Sequence, residues 1–376
     1  MKVLYIGYYK EDSDWGEITR NNILALDKAG VDVACQGISM GKSKQLDAKF
    51  KSLESKSLED RDVCIQHVFP EHIVGTSKFK KNVGILGTNF VQLGHTSAVE
   101  KMSLLDEIWL PNTQNLEFLK NAFAGIEKKP ELKCVPFAFD AKKAQQQTRD
   151  ITVPQNVGKF KFYAIIGSDI NQLRHILTCF HSEFDESEKV CLTLVSNALT
   201  QQQIDSVAID VKSQLGLNKD ISRYCKDTIV ADVSDTMDNF NTVHKYGDCF
   251  ISLDAGNAWP IHVLDAYAFG SSVIASDIGG NKDVVTTSLR RTSQNLISGA
   301  FQCYTQKNRS GETNLGKDFY FVPCHKQVTS AMRTAYSGWL DNPVRYEQSS
   351  QKDGLSIIKD FDFEQVGNTM KEELDA

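Results

Sequence analysis

The 376-residue sequence has no apolar run approaching the roughly 18 residues that cross a bilayer, which excludes a helical membrane span. Its first residues, MKVLYIGYYKEDSD, hold one lysine and a very short apolar stretch before acidic residues, and read as a buried strand rather than a signal peptide. Positive charge is not in excess. The 42 Lys and Arg against 48 Asp and Glu leave a net charge of -6, without the basic footprint of a dedicated nucleic-acid binder. None of the nine cysteines forms C-x-x-C, and most sit in apolar runs such as Val190-Cys191-Leu192 and Asp248-Cys249-Phe250. They predict reduced core thiols in a cytoplasmic protein, with neither a disulfide framework nor a zinc site.

Several motifs are missing or broken. No G-x-G-x-x-G follows the first apolar run, so the dinucleotide fingerprint is absent. Gly37-Ile38-Ser39-Met40-Gly41 copies the G-x-S-x-G of a hydrolase elbow, but a weak helix follows and no partner acid or His can be placed. Gly41-Lys42-Ser43 ends like a P-loop, yet Gln36 stands where its first Gly is required. His67 and His72 fit no zinc spacing and read as solvated loop residues.

With 41% hydrophobic and 24% charged residues, the chain has the composition of a globular protein, and its length suits two domains. Short apolar runs predict strands at Lys2–Gly7, Val31–Gln36, Val63–Val68, Val83–Leu86, Glu107–Leu110 and Leu132–Phe137. Helical spacing falls between them, as in Glu17–Ala29 and Asn115–Phe123. The polar, Gln-rich stretch 141–158 reads as a linker. The rhythm then restarts with strands at Phe160–Ile166, Val190–Val195, Asp227–Ala231, Cys249–Leu253 and Ser272–Ser276. Helices are predicted at Leu173–Phe184, Gln201–Leu215, Ile261–Phe269 and Val328–Leu340, with helical spacing again in Phe361–Leu374. Strands alternating with helices predict α/β architecture: two doubly wound, Rossmann-like domains facing a cleft, with ligands beyond the carboxyl ends of the strands.

Chemistry concentrates in Cys249–Val285, CFISLDAGNAWPIHVLDAYAFGSSVIASDIGGNKDVV. A helix starting near Pro260 or Ile261 would aim its N-terminus, with free N–H groups and partial positive charge, at a diphosphate. Gly279 and Gly280 would let a ligand approach the backbone.

This segment resembles the donor-binding motif of retaining glycosyltransferases of the GT-B fold, glycosyltransferase family 4 (group 1). Leu264-Asp265-Ala266-Tyr267-Ala268-Phe269-Gly270, Val273-Ile274-Ala275-Ser276 and Gly279-Gly280 before Asp283-Val284-Val285 carry the resemblance. Asp238–Asp248 and Leu105–Asn112 (LDEIWLPN) add to it, and Phe361–Leu374 is similar to the family's last helix, which crosses back to the first domain. The family's paired acids fall at Asn257 and Asp265, so the sugar end loses a charge while the ribose-holding acid is kept, one methylene shorter. Its diphosphate cations fall in Gly167–Arg174, where Asn171 takes the Lys position and Arg174 is the only cation.

In the first domain, the resemblance places Trp15-Gly16 by the donor phosphates, and Thr88, Asn89 and His95 toward the acceptor. The implied division is an acceptor-side domain over 1–145, a donor domain over 159–340 and a tail, 341–376, with the crossover helix. The implied activity is transfer of a sugar from a nucleotide diphosphate, UDP- or GDP-linked, to a hydroxyl of a glycan, lipid-linked or small-molecule acceptor. Anomeric configuration would be retained, Asn257, Arg174 and His95 would serve catalysis, and no metal or cofactor would be needed. The Asn257 and Asn171 departures leave open a homologue that binds nucleotide or glycan without turnover. A nucleotide-sugar epimerase shares the fold class, as does a DNA-base glucosyltransferase, which the acidic balance disfavours.

Overall fold

A computed structural model describes residues 1–39, 41, 44–87, 96–146, 148, 156–185, 187–196, 198–217, 227–231, 237–254, 257–286, 295–307 and 313–376. The chain forms two units: residues 1–140 with 359–376, and residues 141–358.

In the first unit, strands and helices alternate. They run β1 (Lys2–Gly7), α1 (Asp14–Lys28), β2 (Asp32–Gly37), α2 (Ala48–Glu54), β3 (Val63–His67), β4 (Lys81–Ile85), α3 (Thr96–Met102), β5 (Glu107–Leu110), α4 (Thr113–Ala122) and β6 (Glu131–Cys134). The sheet is parallel throughout, in the order β2-β1-β3-β4-β5-β6, so the winding direction reverses between β1 and β3. Every residue of β3 and β5 is buried, which accounts for their lack of alternation: helices cover both faces.

The second unit opens with α5 (Ala141–Gln146), β7 (Phe160–Ile166), α6 (Ile170–Glu183), β8 (Val190–Ser196), α7 (Gln201–Gln214), β9 (Asp227–Ala231) and α8 (Met237–Tyr246). It continues with β10 (Cys249–Ser252), α9 (Ile261–Ala268), β11 (Ser272–Ser276), α10 (Gly279–Thr286), β12 (Leu296–Ile297), β13 (Gly299–Lys307), β14 (Thr313–Pro323), α11 (His325–Asp341) and α12 (Pro343–Lys359). Its parallel sheet has the order β12-β11-β10-β7-β8-β9, the Rossmann arrangement, with the reversal between β7 and β10. Its core packs Phe160, Phe162, Ile176, Phe180, Leu192 and Met332 between sheet and helices.

Several elements differ from the sequence reading, among them α12 and β12, which it did not contain. The stretch read as a linker begins with α5, whose Gln145 Nε2 donates to the Ala268 carbonyl of α9 at 2.6 Å. Gly279 and Gly280 open α10 rather than a loop. The antiparallel hairpin β13–β14 was not anticipated, because a local hairpin interrupts the strand–helix rhythm from which the other elements were read. The cysteine reading holds in part. No disulfide joins the seven cysteines whose side chains are described; five of these are buried, while Cys134 and Cys324 are exposed.

The last helix, α13 (Phe363–Asp375), belongs to the first unit and lies against α1. Buried Glu107 accepts from Lys81 at 2.6 Å, Lys133 at 3.2 Å and Trp109 Nε1 at 3.1 Å, and Lys133 reaches Glu373 of α13 at 2.7 Å. The seam depends on Gly367. A Cβ there would lie 2.2 Å from the Ala25 carbonyl oxygen and 3.3 Å from Ala29 Cβ. Gly367→Ala gains roughly 0.5–1 kcal/mol of helix propensity. The forced separation of two packed backbones costs about 1–3 kcal/mol or more, and that term wins. Thermal denaturation is expected to show a Tm several degrees lower; an unchanged or raised Tm would refute this close packing.

Candidate functional site

In the second unit, the carboxyl ends of β7, β10 and β11 each lead toward a helix start, at α6, α9 and α10. Three N-terminal dipoles therefore meet the edge beside the β7/β10 reversal, where open α/β sheets take ligands. The loop between β10 and α9 is held there by its own polar groups. Asp254 is the hub. Its Oδ2 accepts from Ser252 Oγ at 2.8 Å and Asn281 Nδ2 at 3.4 Å, and its Oδ1 accepts from the Asn257 N–H at 3.0 Å. Ser276 Oγ donates to the Asp254 carbonyl at 2.9 Å and accepts from Asn281 Nδ2 at 3.0 Å. Asn281 is fully buried, so these bonds replace the water it would otherwise keep. Gln172, in the first turn of α6, accepts from the N–H groups of Leu253 and Asp254 at 3.3 and 3.1 Å. That contact ties the β7–α6 turn to the β10–α9 loop.

Asn257, Pro260, Ile261, Gly279 and Gly280 come together as the sequence placed them. Gly280 N–H donates to the Asn257 carbonyl at 2.8 Å. Asn257 itself is exposed, and its Oδ1 accepts from the Trp259 N–H at 3.3 Å. Pro260 is the residue before α9 and offers no side-chain cap. A Cβ on Gly280 would stand 2.6 Å from both the Ala258 carbonyl oxygen and Pro260 Cδ, so only glycine lets α10 approach this loop.

Asn171 lies in the first turn of α6, where its N–H donates to Asp169 Oδ1 at 2.9 Å. Arg174 is further along the helix and pairs with Asp210 of α7. Asp265 is 3% exposed and turned into the unit's interior, with Oδ2 3.6 Å from His262 Nδ1 and 4.0 Å from His244 Nε2.

In the first unit, the loop after β1 is fixed by Arg20. Its Nη1 donates to the carbonyls of Tyr9 at 2.8 Å and Glu11 at 2.7 Å. Ser13 caps α1 by accepting from the Gly16 N–H at 3.1 Å. Trp15 follows, edge-on to His67 at 4.7 Å and stacked on Phe69 at 6.1 Å, with Phe137 beyond. Its buried Nε1 has no hydrogen-bond partner. His67 is the last residue of β3, not a solvated loop residue. It is fully buried, bonded to the Tyr5 hydroxyl through Nδ1 at 2.7 Å, and burial lowers its pKa to about 3. His72 closes the group, with Nδ1 2.5 Å from the Tyr8 hydroxyl. Trp15 and His67 thus face one another at the carboxyl ends of β1 and β3, the reversal point of this sheet.

Thr88, Asn89 and His95 lie outside the described residues, as do Met40, Lys42, Ser43 and most of the Arg223–Asp235 stretch. The sequence reading missed Asp254, Gln172, Asn281 and Lys282. An exposed lysine in the first turn of α10, Lys282 adds a cation to the same sheet edge, with Nζ 3.8 Å from Asp277. Asn281 and Lys282 follow Gly279-Gly280 directly, a signal present in the sequence that only a helix, and not a loop, at this position turns toward the sheet edge. Among the described residues, no helix is long and apolar enough to cross a membrane.

No protein-family model matches the sequence, and comparison with curated proteins finds no significant match. Solved structures do match over the whole chain. HepE from Anabaena in complex with UDP is similar at 13% identity with a TM-score of 0.62, covering 100% of both chains. An E. coli structure described as trehalose-6-phosphate bound with UDP-2-fluoro glucose is similar at 11% identity with a TM-score of 0.66, covering 100% of this chain and 99% of the other. Sucrose-phosphate synthase from Thermosynechococcus elongatus is similar at 12% identity with a TM-score of 0.61, covering 100% and 98%. At these identities the likeness shows the fold: two parallel-sheet α/β domains of the GT-B kind.

Proposed function

We propose that the chain is a glycosyltransferase that takes a sugar from a nucleotide diphosphate donor and passes it to a hydroxyl with retention. The observation that carries this reading is the second unit's sheet edge, where a hydrogen-bond network centred on Asp254 ties Ser252, Asn257, Ser276 and Asn281 together beside three helix N-termini. The fold is shared with structures that hold UDP and a UDP-sugar analogue, which favours UDP over GDP as the donor's nucleotide.

In this reading, the diphosphate lies against the first turns of α9 and α10. Asn257 meets the sugar hydroxyls by hydrogen bonding, without charge. Arg174 is held by Asp210 of α7, and Lys282, in the first turn of α10 with Nζ 3.8 Å from Asp277, supplies the charge that steadies the leaving phosphate. The acceptor hydroxyl passes its proton to that phosphate, and no strong protein base is required. In the first unit, the Trp15 and Phe69 rings offer an apolar face to a sugar ring. Asp265 is left out of the donor contacts because its carboxylate points inward.

One second reading is favoured by a specific observation. Asn257 carries no charge and Arg174 is already paired, as in a homologue that binds donor without turnover.

A thermal-shift screen against UDP, GDP, ADP, CMP and dTDP and their sugar conjugates tests both. A cognate nucleotide at about 100-fold above Kd should stabilise by roughly 2.7 kcal/mol. Donor hydrolysis or transfer, with NMR showing a retained anomer, supports the transferase and eliminates the binder. Lys282→Ala is expected to lower kcat/KM by about 10²-fold, with Tm unchanged within a degree. If no nucleotide stabilises the protein, the donor-site reading fails.

A further inference from the structure

Sequence spacing showed no metal-ligand set, yet the fold assembles one. His244 at the end of α8 and His262 and Asp265 on α9 bring one ligand atom each within 4.8 Å of one another. The two histidines come from helices joined through β10, so no local motif announces them. His262 and Asp265 are one turn apart and share a helix face.

The protons at His244 can be followed through the hydrogen bonds. Ser271 Oγ donates its one hydrogen to the Gly247 carbonyl at 3.1 Å. Ser271 therefore accepts from the Tyr163 hydroxyl at 3.0 Å. Having given its hydrogen away, Tyr163 accepts from His244 Nδ1 at 3.0 Å. In the neutral ring the proton is then on Nδ1, and Nε2 carries a bare lone pair. That Nε2 is fully buried, has no hydrogen-bond partner, and faces Asp265 Oδ2 at 4.0 Å. Two acceptors thus confront each other beside the rings of Phe240, Phe250 and Phe269. A cation between them removes the conflict.

We propose that His244 Nε2, His262 Nδ1 and Asp265 bind one divalent transition-metal ion of the zinc class, stapling α8 to α9. Two imidazoles and a carboxylate suit zinc and its neighbours and disfavour magnesium and calcium. Four-coordinate zinc with nitrogen and oxygen ligands at about 2.0–2.1 Å sets its ligands roughly 3.3–3.4 Å apart. The Asp265 separations of 3.6 and 4.0 Å need to close by about 0.2–0.7 Å, and the two histidine nitrogens, within 4.8 Å, by at most about 1.5 Å. The fourth position is left to water. The Tyr163–Ser271–Gly247 relay is the kind of outer support that fixes the tautomer of a metal-bound histidine.

The test is calorimetric titration of chelator-treated, full-length protein with Zn²⁺, together with visible absorption on adding Co²⁺. One equivalent should bind, raise Tm, and give a d–d band of a four-coordinate cobalt site. His262→Ala and Asp265→Asn should each weaken binding at least about 100-fold, and Tyr163→Phe about 10-fold or more, while retaining wild-type circular dichroism. His175 Nδ1 lies 2.9 Å from His325 Nε2, the alternative histidine pair, so His325→Ala should leave the titration unchanged. Absence of stoichiometric binding overturns the proposal. So does binding that survives both His262→Ala and Asp265→Asn, or binding lost in His325→Ala.

Discussion

Asp254→Ala is expected to abolish nucleotide-induced stabilisation and to lower kcat/KM by about 10³-fold or more. The carboxylate accepts from Ser252, Asn281 and the Asn257 backbone, and its own carbonyl holds Ser276. Truncation leaves Ser252 Oγ without that acceptor and Asn281 short of one, both in buried surroundings. Each buried polar group left unsatisfied costs about 1–3 kcal/mol. The loop then has no reason to keep the path that presents Asn257 and the start of α9. Displacement of a positioned group by about 1 Å is enough for a loss near 10²-fold. Asp254→Asn should fall between wild type and alanine, because one amide oxygen can replace one of the two acceptors while its N–H₂ opposes the Asn281 amide. A UDP shift of wild-type size in Asp254→Ala would show that the loop's geometry is set elsewhere and would remove the main support for the donor corner.

The sheets were legible because buried parallel strands leave an unmistakable trace. Runs such as VCLTLVS in β8 are buried at every residue, and Glu107–Leu110, Phe160–Ile166, Asp227–Ala231 and Ser272–Ser276 appear with the bounds read from sequence. Helix starts were read late: α1 begins at Asp14 and α6 at Ile170, because Ser13 and Asp169 cap them with polar residues that carry no apolar signal. The site was legible where it is local in sequence. Asn257, Pro260, Gly279 and Gly280 lie along one βαβ unit and were found together. Contacts that cross elements had no such trace. Gln172 reaches Leu253 and Asp254 from another helix, and nothing about an isolated Gln announces that. His67 was misjudged for the same reason: its surroundings, Tyr5, Trp15 and Phe137, come from separate segments. Asp265 could be placed on its helix, but which side the carboxylate takes depends on His244, on a different helix.

His67 should also make the protein lose stability in mild acid, in a pH window above the ordinary carboxylate range that it shares with the other buried histidines. Its pKa falls from 6.5 to about 3 because the ring is fully buried; its neighbours Tyr5, Trp15 and Phe137 bring no charge to offset that. The folded state therefore refuses a proton that the unfolded chain accepts below pH 6.5. Stability from this group is fully present above pH 6.5 and is lost as pH falls toward 3, at about 1.4 kcal/mol per unit. The full contribution is on the order of 4–5 kcal/mol, a large share of a typical 5–15 kcal/mol. His175, held down to about 4 by burial and then by His325, acts in the same direction, reduced by its partial exposure to solvent. Carboxylates stabilised by partners, such as Asp32 with Lys56 and Glu188 with Arg333, lose their contribution only below their ordinary values near 3.8 and 4.5. Asp248, raised by burial, has the opposite sign and blunts the low end of the range. Between pH 5 and 6.5 the histidines dominate. Urea unfolding across that range, with chelator present, should give a falling free energy for the wild type. His67→Asn should be less stable at pH 7 yet show a slope shallower by about 1.4 kcal/mol per unit. The difference in slopes is the measurement, since it does not depend on how much the substitution costs at neutral pH. Equal slopes would mean that His67 takes up its proton as freely in the folded protein as in the unfolded chain, which a fully enclosed ring does not permit.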